Sequence, residues 1–191
     1  MGKAAPNAFT LIELLVVISV VAILGVVAIP SFRNFGEEQA LNNALLDLQS
    51  NLRTAQTNAS TNLKCANQPV DQWKIDFYKQ QGKYIVQTHC YYFNGAVLTQ
   101  SVINKYELPS SIIIEKIFDS GSAGCENTFP TDVTSYAAVI FKPLTNAIYF
   151  ESSIDRVTYQ TCNQFQVQLK NTKTTSTKQV IIEKGGRVYV Q

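Results

Sequence analysis

Residues 8–32 read AFTLIELLVVISVVAILGVVAIPSF, and from Leu14 to Phe32 there is no charged side chain. Apolar residues occupy every helical face rather than a 3.6-period stripe, the pattern of a helix embedded in lipid. At helical rise this stretch is roughly 28 Å long, close to the hydrocarbon thickness of a bilayer, so it is expected to span a membrane. Glu13 is the discord, because a carboxylate at the edge of lipid needs a partner. After Pro30 the pattern becomes amphipathic: Phe32, Leu41, Leu45, Leu48, Leu52, Ala55 and Ala59 recur at three and four residues, with Glu37, Glu38, Asn42, Asp47 and Arg53 elsewhere. A second helical segment over 33–60 is therefore expected to lay its apolar stripe on a folded domain. Pro30 lacks an N–H and predicts a kink, with Gly25 and Gly36 loosening the turns around it.

Beyond residue 61 the signals are those of strands and turns. Residues 73–77 alternate, Gln81-Gly82-Lys83 reads as a turn, residues 84–93 resume the strand, and Asn94-Gly95 closes it. Further strands are expected at 111–118, 136–141, 147–150 and 165–169, and a last hairpin joins 180–183 to 187–190 through Gly185-Gly186. Residues 119–124 read as a Gly/Ser-rich loop. Seven or eight short strands with no further helical pattern predict an α+β class. A long amino-terminal helix, half transmembrane and half amphipathic, packs on an antiparallel β-sheet or β-sandwich.

This pattern divides the 191 residues into a leader (1–8), an apolar helix (9–32), an amphipathic helix (33–60) and one β-rich head domain (61–191). With 16% charged residues and a net charge of +2, the chain has no whole-molecule footprint of a nucleic-acid binder. Cys65, Cys90, Cys125 and Cys162 all follow the apolar helix without a C-x-x-C pair, which reads as two disulfides in an oxidising compartment rather than a metal site. Three connectivities exist. Pairing Cys65 with Cys90 and Cys125 with Cys162 closes two loops that do not cross, and is preferred.

The leader MGKAAPNA inverts the order of a secretory signal, since its small residue Ala8 stands before the apolar run. Lys3 and the terminal amine keep this end cytoplasmic. A cut between Ala8 and Phe9 keeps the apolar helix in the mature protein and creates an ammonium at Phe9, four residues from Glu13.

The run FTLIELLVVI, residues 9–18, resembles the class III signal of type IV pilins and type II secretion pseudopilins, over about the first 50 residues. The residue before the cut is usually Gly in that family, and here it is Ala8. The resemblance implies cleavage by a prepilin peptidase, methylation of the Phe9 amine, and an encounter of Glu13 with the Phe9 amine of a neighbouring subunit. It further implies unwinding near Pro30 in the filament, and an inner-membrane assembly platform and other pilins as partners. The subunit would begin as a single-pass inner-membrane protein and end in an extracytoplasmic or cell-surface filament. A plain signal-anchored envelope protein is the alternative.

Residues 141–145 and 185–190 are similar, more weakly, to the minor-pilin group that includes the pseudopilin GspH and the minor pilin FimT. Some members end in a DNA-binding Gly-Arg-x-Arg tail. Here Gly186, Arg187 and Val188 fit, while Tyr189 stands where the second arginine would. Lys170, Lys173, Lys178, Lys184 and Arg187 form a basic carboxy-terminal stretch against Glu183, so Lys184 and Arg187 are the candidates for DNA contact in a DNA-uptake role. The expected function is a structural pilin-like subunit of a pilus, a secretion pseudopilus or a competence apparatus, with no cofactor, no metal and no enzymatic activity. The single histidine, His89, neighbours Cys90 on a strand, where adjacent side chains point to opposite faces and cannot act as a nucleophile–base pair. The carboxylates are scattered, without the spacing of metal ligands or of an acid/base pair.

Overall fold

In the computed structural model, residues 10–120, 136–143, 147–152, 157–159 and 163–191 are described, with side chains except at 26–33, 118–120, 136, 152 and 157–159. The class is α+β: one long helix against a β-rich domain of two antiparallel sheets.

Helix α1 covers Leu11–Ser60. Thr10 caps its first turn, and its last turn closes when Asn62, at φ 51°, donates its N–H to the Ala59 carbonyl, a left-handed conformation that Asn tolerates. The helix is assigned without a break through Pro30, so the expected kink does not interrupt it. From Leu41 onward the predicted stripe is the buried one: Leu41, Leu45, Leu48, Leu52, Ala55 and Ala59, joined by Ala44, are at most 4% exposed. Each such leucine withdraws enough surface from water to contribute about 1.5–3 kcal/mol. Phe32 lies outside the described side chains. Among the described residues no helix is long and apolar enough to cross a membrane; part of the expected span, 26–32, falls on side chains that are not described.

The first sheet has the order β3-β2-β1-β5-β6-β7, formed by β1 (Val70–Gln80), β2 (Lys83–Asn94), β3 (Val97–Glu107), β5 (Tyr136–Phe141), β6 (Ile148–Ser152) and β7 (Val157–Tyr159). The second has the order β10-β9-β8-β4, formed by β4 (Ile112–Ser120), β8 (Gln164–Asn171), β9 (Thr177–Glu183) and β10 (Val188–Val190). Among the described residues ten strands thus replace the expected seven or eight, and three of them are long: β1 and β3 have 11 residues and β2 has 12. Strands β3 and β7 are the additions, and β3 is the long one. Strand β3 is an outer strand with most side chains in solvent, so it lacks the buried/exposed alternation that marks a strand in sequence. Residues 119 and 120, expected in a loop, extend β4 instead, paired with Phe165 and Gln164.

One core joins these layers. Trp73, Ile75 and Phe77 of β1 point inward by strict alternation, meeting the α1 stripe and Val167, Leu169, Val180 and Ile182 of the second sheet. Phe165 bridges the sheets, stacked on Phe150 at 4.9 Å between ring centroids and tilted against Phe77 at 6.1 Å. A disulfide joins Cys65, in the segment after α1, to Cys90 of β2, one of the two preferred pairings. Cys125 and Cys162 lie outside the described residues.

Candidate assembly site

Glu13 occupies the third position of α1, where backbone N–H groups have no helical acceptor. Its carboxylate accepts hydrogen bonds from the Thr10 N–H and the Thr10 hydroxyl, both at 2.9 Å, while the Glu13 N–H donates to Thr10 Oγ1 at 3.3 Å. This is a reciprocal capping box. A partner for Glu13 is therefore supplied locally, by a Thr-x-x-Glu signature that the sequence itself carries. Ala8 and Phe9 lie outside the described residues, and of Pro30 only the helical backbone is described.

Around and beyond Glu13 the helix is unpartnered. Its large apolar side chains from Leu11 to Leu24 are 49–81% exposed, and Ser19 turns its hydroxyl onto the Leu15 carbonyl at 2.8 Å, hiding its polarity within the helix. So much contiguous apolar surface has no counterpart on a freely soluble monomer and marks a surface made for lipid or for other chains.

The rod becomes attached to the head at Glu37. Asn171, at the end of β8 and fully buried, donates to the Glu37 carbonyl at 3.0 Å and to Glu37 Oε2 at 3.1 Å. Its own Oδ1 accepts from the N–H groups of Lys173 and Thr174. Lys173 pairs with Glu37, the Ser176 hydroxyl donates to Glu38, and Lys178 donates to Asn42 Oδ1. Hydrogen bonds from Lys173, Asn171 and Ser111 hold the Glu37 carboxyl at a pKa of about 2. Higher up, Gln49 and Arg53 donate to the Val188 carbonyl, and Gln56 donates to that of Gly186. Gly186 has φ +89°, a left-handed conformation that favours glycine, and a Cβ there would only displace the flexible end of Gln56, whose Nε2 would lie 2.5 Å away.

These contacts redraw the basic carboxy-terminal stretch. Lys173 is bound to Glu37, Lys170 to Glu115 at 2.6 Å, and Lys178 to Asn42. Lys184 and Arg187 are exposed at the β9–β10 turn.

On the sheet face away from the core, residues far apart in sequence form a buried ionic cluster. Lys74 Nζ lies 3.0 Å from Glu151 and 3.4 Å from Asp76, and His89 Nε2 lies 3.0 Å from Asp76 Oδ2, all with side chains at most 19% exposed. Burial opposes the Lys74 ammonium, but Asp76 and Glu151 outweigh it and hold its pKa above the ordinary lysine value. The carboxylates expected to be scattered are thus partly gathered, by a cross-strand pairing of β1 with β2 and a reach to β6 that no local spacing encodes. Cys90, on the opposite face, is committed to its disulfide and takes no part.

Residues 5–29 match the family model of the prokaryotic N-terminal methylation motif. Neither a curated protein nor a solved structure matches the chain. The motif supports placing the chain with the type IV pilins and pseudopilins, and with it processing by a prepilin peptidase and assembly with other pilins.

Proposed function

We propose that the chain is a structural, non-catalytic subunit of a type IV pilus or a type II secretion pseudopilus, of the minor-pilin kind. It is stored in the inner membrane through its apolar helix, cut between Ala8 and Phe9, methylated on the Phe9 amine, and passed by an assembly platform into a helical filament.

The observation that carries this reading is the division of α1. The head fastens to the helix from Glu37 onward, and the apolar side chains from Leu11 to Leu24 stand exposed. Such a rod is stable in lipid, and equally stable bundled with copies of itself, so transfer from one to the other need not unfold the head. Glu13 then selects register. In the single chain Thr10 satisfies its carboxylate; in the bundle the Phe9 ammonium of a neighbour provides a charged partner, and a subunit out of register leaves a carboxylate in an apolar bundle.

Glu13→Val tests this directly. The variant is expected to insert and to be cut at Phe9, by intact mass, yet to be missing from sheared filaments. Incorporation at the wild-type level would overturn the mechanism.

A DNA-receptor role is the second reading, resting on the exposed Lys184 and Arg187. The engagement of Lys170, Lys173 and Lys178 leaves it little charge to work with, because each neutralised phosphate adds to affinity and to its salt dependence.

A further inference from the structure

Strand β3 forms one boundary of the first sheet, and among the described residues nothing pairs with its outer edge. Its apolar side chains are unusually open for a strand: Val97 is 66% exposed, Leu98 47%, and Val102 and Ile103 52% each. A long edge of this kind is a template for another strand, and proteins normally blunt it with charge. Here no charged residue occurs between His89 and Lys105.

The order of residues identifies the occupant. Reading outward from Gln100, Thr99 faces Ser101, Leu98 faces Val102, and Val97 faces Ile103. The segment VLTQSVI is a chemical palindrome, hydroxyl against hydroxyl and aliphatic against aliphatic. An antiparallel pair of identical strands has a two-fold axis through one residue, so a palindrome about that residue is the pattern that makes every cross-strand pair favourable at once. The register is bounded as well. The β2–β3 pairing shifts between Thr88 and His89, placing a bulge at Ile103, and Lys105 would fall opposite Gly95 rather than another lysine.

We propose that β3 pairs antiparallel with β3 of a second copy of this chain, centred on Gln100, joining two six-stranded sheets into one. The direction of the strand defines where such a pair belongs. Asn104 bonds to Asn51, while Glu107 and Pro109 share a cleft with Ala40 and Asn43, so β3 descends as α1 ascends. A two-fold β3 pair therefore points the two helices in opposite directions, which excludes neighbours anchored in one membrane or stacked in one polar filament. On the pilin reading above, on which this placement rests, the contact ties together subunits of two filaments running opposite ways.

The pairing itself can be measured without processing or assembly, so its failure is distinct from a failure of that reading. Full-length chain in detergent micelles is followed by sedimentation velocity, and Gln100→Cys is oxidised and mapped by peptide mass. Residues paired across an antiparallel ladder have Cα atoms about 4.5–5.5 Å apart, within disulfide reach. The expected result is a reversible dimer, a 100–100 cross-link forming at least tenfold faster than one from Ser50→Cys, and dissociation in Val102→Lys, which sets an ammonium against Leu98. Monomers throughout, or cross-linking of Ser50→Cys as fast as that of Gln100→Cys, would overturn the proposal. Should Val102→Lys fail to fold, the Gln100→Cys comparison decides alone.

Discussion

The two halves of α1 use nearly the same side chains to opposite ends. Leu14, Leu15, Ile18 and Val21 lie 57–62% exposed, whereas Leu41, Leu45, Leu48 and Leu52 are at most 2% exposed. The difference is one of distribution, not of hydrophobicity. A stripe one face wide can be covered by a single partner, and the β domain is that partner; a helix apolar all round needs a surrounding, which none of the described residues provides. The carboxy-terminal half of the helix is thus finished by folding, and the amino-terminal half only by its environment.

The sharpest way to break this comparison is to make one change in both halves. Leu48→Ala opens a cavity beneath the sheets and is expected to lower head stability by about 2–5 kcal/mol, whereas Leu15→Ala should leave the thermal midpoint unchanged. Circular dichroism melts of the two variants in the same detergent check this; equal losses would mean that the rod also packs on the head. A smaller effect is expected at the seam between helix and second sheet. Gly186→Ala forces a side chain into a left-handed backbone, at a cost of about 1–2 kcal/mol, read as a lower denaturation midpoint in urea.

Smallest is the response to pH at the point where the two halves meet. Glu37 has its pKa lowered from 4.5 to about 2, so the folded state favours its ionised form. Its stabilising contribution is complete above about pH 4.5 and is lost as the pH falls towards 2. Glu37→Gln should accordingly melt below the wild type at neutral pH, and the two melting curves should converge as the medium is acidified through that window. A constant gap across the range would show that the carboxylate's charge is not what fastens the joint.

How much of this was legible in the sequence follows from the range of each interaction. The α1 stripe, the β1–β2 hairpin at Gln81-Gly82 and the glycine turn before β10 are local patterns with local causes, and the residues alone imply them. Thr10 and Glu13 are equally local, three residues apart, but a carboxylate beside an apolar run fits a cation and a helix cap alike, and spacing alone does not separate the two. Strand β3 was not legible by alternation, since an edge strand in solvent has no buried face to alternate with. The Asn171–Glu37 joint and, in the ionic cluster, the Lys74–Glu151 and His89–Asp76 pairs depend on contacts across 13 to 134 residues of chain, and no spacing rule reaches that far. In the site as a whole, identity could be read early and partnership could not.

The joint at Glu37 also has a mechanical side. Whatever pulls on the rod reaches the folded head first through four side-chain fastenings grouped within Glu37, Glu38 and Asn42, at the start of the leucine stripe. Tension along the helix is delivered to the turn between β8 and β9, and runs nearly along the strands that leave it, so their ladder is loaded in shear with many hydrogen bonds sharing the strain. Asn171 is thus the shackle of a tether, set where a cable enters its anchor block.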